Sequence, residues 1–535
     1  MLLYGSFRSA SFGEAGGYTL QNYIGAYADR DFYLLFLNSL YFALGTCVVT
    51  FSIGTYLAWI SERTNTPFKK YFAVMALIPF IIPGILSTIA WILLLSPKIG
   101  LINLVIRNFI GLEESPFNVY SIWGMIWAES IHLYPLVFLL MSAAFRNMDT
   151  SLEEAALAAG SSTFMTFRRI TLPLMRPAMF SVLLITFVRA IESFEVPALI
   201  GVPANLSVFT TKIFLAIHQY PSDFGLAGAY AVTLLVISVA GVLIYGRITR
   251  KEERYATVTG KGYRPRVIDL GPWRYVTCAV ALMIFFVAVI LPVFVLLWSS
   301  VITYYGIPSR ELFQKLTLAN YEYVLNYPLA VTAFKNSFYL SLGSATLVMF
   351  LTSIVAWITV RSKLPGRAVL DNMTFVPIAI PGIVLGVSLI WVYLSVPIPI
   401  YGTIWVLLLA YITKFMPYGM RAASASMVQI NKELEEASLT SGGTWLQTFR
   451  KVLLPLLMPG FVAGWIYISI IALRELSTSI LLYSSDTTVL SIMAFDMWEG
   501  GQYTYVCALG VLMVVLLMAM AFIALKVGAK IGISR

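Results

Sequence analysis

Glu154-Ala155-Ala156-Leu157-Ala158-Ala159-Gly160, then nine residues, then Ile170-Thr171-Leu172-Pro173, is the stretch that decides how this chain is read. It returns 282 positions later as Glu436-Ala437-Ser438-Leu439-Thr440-Ser441-Gly442, nine residues, and Val452-Leu453-Leu454-Pro455. Each copy is a polar island between long apolar runs. Glu and Ala favour helix, the glycine can take the left-handed turn that ends one, and Ser161 or Ser162 can cap a second. The proline is expected to stop that second helix at the membrane edge. Each copy reads as helix, turn, helix on a membrane surface.

The flanks support a membrane setting. Of 535 residues, 59% are hydrophobic and 12% charged, about half the charge of a soluble chain. Runs long enough to cross a bilayer fall near 33–60, 71–97, 121–145, 178–201, 226–246, 275–300, 336–360, 372–395, 402–420, 461–484 and 505–525. The fold class is an all-α polytopic membrane protein of eleven spans. Assigning alternate loops to one side gathers most of the 36 Lys and Arg there, with Arg189 and Arg474 inside spans. That side is the cytoplasm by the positive-inside rule, and both Glu-Ala loops lie on it. The net charge of +10 therefore reports topology and contact with anionic lipid, not nucleic acid.

The duplication extends well beyond the loops. At an offset of 298, Asn38, Ser39, Trp59 and Arg63 recur as Asn336, Ser337, Trp357 and Arg361, and Pro83-Gly84 as Pro381-Gly382. The offset falls to 282 where the outer loop near 98–120 shortens to 396–401. Six spans separate equivalent points, so the halves share one orientation and form a parallel repeat. This divides the chain into a first half, 1–246, a linker, 247–274, and a second half, 275–535. The linker holds eight Lys or Arg together with Gly260, Gly262, Pro265, Gly271 and Pro272. Leu20, Asn22 and Tyr23 match Leu318, Asn320 and Tyr321, which leaves the first half without a counterpart of span 275–300. A further helix upstream of Met1 is the expectation drawn from this, the alternative being a five-span half with an exported N-terminus.

Pro83-Gly84 and Pro381-Gly382 should kink or break their spans, either as packed kinks or as the lining of a path. Ionisable residues inside spans are costly and mark pathways or internal pairs. Glu129 and His132 share a helical face, as do Arg189, Glu192 and Glu195, with Arg474 and Glu475 in the matching span. Arg189 with Glu192 can be a neutralised structural pair, or part of an acidic passage for a cation. Cys47, Cys278 and Cys507 lie far apart in spans, and with two histidines they compose no metal site. A phosphate-binding loop is absent, since Gly260-Lys261 is followed by Gly262 and position 255 is Tyr. Glu153, Glu154, Glu435 and Glu436 have a plain role as solvated carboxylates near a helix N-terminus.

The Glu-Ala-Ala, Gly, Ile-x-Leu-Pro pattern resembles the cytoplasmic coupling loop of ATP-binding-cassette (ABC) importer permeases. The second copy departs mildly, with Ser438 for Ala and Val452 for Ile. The resemblance implies two MetI-like type I halves in a bacterial inner membrane. Their loops, through Glu153, Glu154, Ala155, Ala156, Gly160 and Pro173, and through Glu435, Glu436, Ala437, Ser438, Gly442 and Pro455, would dock on two copies of a separate ATPase. ATP and Mg would sit on those subunits, with no cofactor in this chain, and an external substrate-binding protein would deliver cargo. Phe194-Glu195-Val196-Pro197 and Arg474-Glu475-Leu476-Ser477-Thr478, in one fused chain, resemble the ferric-iron (Fe3+) uptake group. Similar fused permeases serve thiamine, phosphonates, polyamines or sugar phosphates. An ion-gradient-driven secondary transporter would share the duplication but would not need the paired loops. A membrane enzyme finds no nucleophile–base constellation here.

Overall fold

Backbone groups inside a bilayer have no water to bond, so an apolar chain meets them internally, and helices are the open-chain solution. The computed structural model describes residues 1–9, 16–148, 151–252, 267–396 and 399–531, and these are helical almost throughout. Among them, eight helices are long and apolar enough to cross a membrane, and three bent pairs raise the number to as many as eleven. Linker residues Gly260, Gly262 and Pro265 lie outside the described residues.

The repeat is visible helix by helix. Gln21–Ala28 and Arg30–Arg63 return as Ala319–Asn326 and Pro328–Arg361. Beyond the shortened outer loop, Ile122–Asn147, Ser151–Ala158 and Leu172–Ile191 return as Ile404–Gln429, Glu433–Thr440 and Leu454–Leu473. Both Pro-Gly positions break their spans. Lys69–Phe80 meets Gly84–Leu95 at 95°, and Arg367–Ala379 meets Gly382–Ser395 at 110°.

Two compact units form, and they do not follow chain order. One holds residues 23–219 and 233–316. In it Arg30–Arg63 packs along Ile122–Asn147, and the later helix Trp273–Ser300 packs on Gly84–Leu95. The Tyr56 hydroxyl donates to the Thr277 carbonyl at 2.7 Å, and that of Tyr305 to the Leu93 carbonyl. The other unit holds residues 1–22, 220–232 and 317–535. Here the short helix Leu2–Ser6 lies on Gly382–Ser395, with Tyr4 edge-on to Trp391 at 6.2 Å.

Two expectations are corrected. Pro173 and Pro455 do not stop their helices, because a five-residue π turn precedes each. The Leu172 N–H reaches Phe167 O, and the Leu454 N–H reaches Phe449 O. Proline lacks an N–H and its ring presses on the carbonyl four residues back, and one widened turn relieves both demands. The same device precedes Pro203 and Pro292. Spans 178–201 and 461–484 are also displaced. Their helices run Thr163–Ile191 and Phe449–Leu473, and Pro197–Ala204 with Phe209–His218 forms a separate pair bent by 80°.

Candidate coupling elbows and intramembrane polar clusters

Each elbow is built by one glycine. Gly160 and Gly442 sit at φ of +85° and +84°, with open space where a Cβ would project. The Gly160 N–H bonds Leu157 O and the Ser161 N–H bonds Ala156 O, both at 2.9 Å. Gly442 to Leu439 and Gly443 to Ser438 repeat this at 3.0 Å. The paired bonds are a Schellman motif, which satisfies the last carbonyls of a helix and requires the left-handed residue. Ser162 Oγ then caps the next helix by accepting from the Met165 N–H, and Thr444 does so for Gln447, both at 3.3 Å.

Glu154, Ala155, Glu436 and Ala437 are exposed, and Ala156 and Ser438 half-buried. Exposed Leu152, Phe164 and Leu434 stand beside them. Each elbow helix therefore presents an exposed carboxylate with apolar side chains beside it. Glu153 departs from its expected solvation. It is buried, pairs with Arg63, and accepts from Thr171 Oγ1 at 2.5 Å. Glu435, half-buried, pairs with Arg361 Nε at 3.1 Å.

In the first half Glu129 and His132 lie inside the span Ile122–Asn147, whereas Arg189 and Glu192 lie at a helix end. Arg189 occupies the last turn of Leu172–Ile191, Glu192 is its C-cap, and they pair at 2.5 Å. Glu195 lies past that end, so it is not on a continuing helical face as expected. Side-chain hydrogen bonds hold the turn instead. Ser193 Oγ donates to Glu129 Oε2 at 2.8 Å, and Thr210 Oγ1 donates to the Ser193 carbonyl at 2.7 Å. The Glu195 carboxylate fills the place a Cβ on Gly84 would take, and His132 Nε2 is 3.3 Å from that point. Glu129, His132 and Glu195 thus gather around the Pro83-Gly84 break.

The second half builds the same place from different residues. Tyr411, Lys414 and Ser477 hold the positions of Glu129, His132 and Glu195, and Glu475 that of Ser193. Lys414 Nζ meets Glu475 Oε1 at 2.6 Å, and the Tyr411 hydroxyl meets Ser479 Oγ at 2.8 Å. A Cβ on Gly382 would stand 2.5 Å from Lys414 Nζ and 2.8 Å from Thr478 Oγ1. Arg474 caps the preceding helix. Acid and hydroxyl have exchanged elements: in the first half the long helix supplies Glu129 and the turn Ser193, in the second the helix supplies Tyr411 and the turn Glu475. Among the described residues no group of three or more His, Cys, Asp or Glu is arranged to hold a metal ion.

Sequence reading passed over Lys414, Arg63 and Arg361 as site residues. Lys414 was detectable as a lone cation inside the run 402–420. Arg63 and Arg361 were visible only as repeated letters, since their partners lie 90 and 74 positions away.

Residues 51–254 and 349–531 both match the family described as binding-protein-dependent transport system inner membrane component. The ferric transport system permease protein FbpB of Actinobacillus pleuropneumoniae is 27% identical over 90% of this chain and 69% of that one. The Fe(3+)-transport system permease protein FbpB 2 of Haemophilus influenzae is 24% identical over 88% and 85% respectively. Over 39% of this chain, the spermidine/putrescine transport system permease protein PotC of Haemophilus influenzae is 26% identical. With the domain present twice and the multi-pass helical architecture on which it rests, this chain belongs to the family of inner-membrane components of binding-protein-dependent transport systems.

Proposed function

We propose that this chain is the permease of an ATP-driven importer and that its cargo is ferric iron. The observation that carries the reading is the pair of matched elbows, each exposing a Glu-Ala face with apolar neighbours at equivalent points of the repeat. Two copies of an ABC ATPase would dock there, carrying ATP and Mg, and an external binding protein would present the ion. ATP binding would draw the elbows together and favour an outward-open state, which has force only if the partners engage the two states differently. Ferric iron as cargo is supported by the names of the relatives that align with most of the chain. It is a hard cation that prefers oxygen ligands, and Glu129, Glu192 and Glu195 offer carboxylates around the first break. Lys414 with Glu475 offers a compensated pair at the second.

The test is uptake into proteoliposomes holding the permease, its ATPase and the external protein. Ferric iron should enter only with ATP inside and should not be displaced by thiamine, phosphonate, spermidine or glycerol phosphate. Uptake that persists without the ATPase and collapses with an ion gradient would assign a secondary transporter instead.

A further inference from the structure

The elbow residue that faces inward is not the one the sequence pattern advertises. Glu154 and Glu436 point to solvent, whereas the preceding Glu153 and Glu435 turn back into the protein. Glu153 joins three elements. It lies on the elbow helix Ser151–Ala158, pairs with Arg63 in the last turn of Arg30–Arg63, and accepts from Thr171 in the π turn that opens the next span. The pair is almost wholly enclosed, with side-chain exposures of 2% for Arg63 and 6% for Glu153. Glu435 repeats the contact on Glu433–Thr440 with Arg361, in the last turn of Pro328–Arg361, at exposures of 20% and 6%. Arg361 also donates through Nη2 to the Met427 carbonyl at 2.9 Å and to that of Ile430, gripping the end of Ile404–Gln429.

A buried pair of this kind adds little net stability over an apolar filling, but removing one partner strands a charge. What it does supply is rigidity between the elements it joins. We propose that Arg63–Glu153 and Arg361–Glu435 are the transmission links of the two elbows: positioning residues that oblige each elbow helix to move with the long helix of its own half. The first link carries an addition. The Ile268 N–H donates to the carbonyl of Arg63 itself at 2.7 Å, and Asn65 donates to Asp269 at 2.5 Å. The end of the linker is therefore seated on the first link, and the second has no such strand on it among the described residues. Displacement of the first elbow would pull on the chain entering Trp273–Ser300.

The inference rests on the proposed importer reading, and the experiment separates the two. Full-length permease is reconstituted with its ATPase and external protein, and ATP hydrolysis and ferric uptake are measured together. Arg63→Glu, Glu153→Arg, Arg361→Glu and Glu435→Arg should each lower uptake at least about tenfold while hydrolysis continues, and the exchanged pair R63E/E153R should recover most of it. Glu153→Gln, a milder change for any reversal that fails to accumulate, should raise the ATP consumed per ion carried. Normal uptake by the single reversals, an R63E/E153R exchange no better than its single reversals in membranes that retain the ATPase, or an unchanged ATP-to-ion ratio for Glu153→Gln would overturn the links. Wild-type uptake that ignores ATP would overturn the importer reading instead.

Discussion

Gly160 and Gly442 isolate a backbone requirement from a packing one. Nothing stands where a Cβ would go, so alanine at either should cost only the left-handed penalty, about 1–2 kcal/mol per site. Proline is different, because it fixes φ near −65° and deletes the N–H that bonds Leu157 or Leu439. Gly160→Pro with Gly442→Pro should abolish uptake while the chain still inserts; normal uptake would refute a coupling role for the elbows. At the first break the informative residues are Glu192 and Glu195. Glu192→Gln and Glu195→Gln should each impair transport roughly tenfold without loss of folding, since a neutral amide keeps the volume but not the charge. Unchanged uptake would leave both as packing. Gly84→Leu tests the same place from the other side. Its side chain would evict the Glu195 carboxylate, so its transport defect should match that of Glu195→Gln.

Among the elements, the helices best read from sequence were those with a repeated partner. The Pro-Gly breaks, the elbow helices and the left-handed glycines carry chemistry that acts within a few residues, and each lies where that chemistry places it. The ends of Leu172–Ile191 and Leu454–Leu473 were not legible. No glycine or proline lies within five residues past either end, and beyond Glu195 the stretch Val196 to Ile200 is apolar again. What ends the first helix is a hydrogen bond from Ser193 to a carboxylate 64 positions earlier, which periodicity cannot register. The π turns were hidden for the opposite reason: proline announced a stop, and a single widened turn removed the need for one. The linker exit adds an element whose strength should follow pH. Asp269 is held below the usual carboxylate range by the Gly271 N–H, then by Asn65 and Arg274. A depressed folded-state pKa means the contact contributes above the ordinary carboxylate pKa and is lost as pH falls through the depressed one. Asp269→Asn should therefore flatten the acid limb of a thermal-stability profile, and an unaltered limb would show that Asp269 contributes nothing there.

For the whole molecule, the open quantity is how many times the chain crosses between its elbows. Helices Thr163–Ile191, Phe224–Glu252, Trp273–Ser300 and Pro328–Arg361 with the broken span over 367–395 give five passages, and Ile404–Gln429, as the repeat counterpart of the span Ile122–Asn147, gives a sixth. The bent pair Pro197–Ala204 and Phe209–His218 would make a seventh if it crossed. An odd number would put the elbows on opposite faces and turn a parallel repeat into an inverted one. The repeat therefore requires this pair to enter the membrane and return on the same side. Cysteine labelling can decide it cleanly, because Cys47, Cys278 and Cys507 are all buried. Ala159→Cys and Thr440→Cys, both on exposed elbow positions, should react with an impermeant thiol reagent only in inverted vesicles. Tyr220→Cys, at a fully exposed position just past the bent pair, should react only in spheroplasts. Labelling of Tyr220→Cys from the cytoplasmic face would make the pair a true span, and with both elbows also inside, the six passages counted here would have to be recounted.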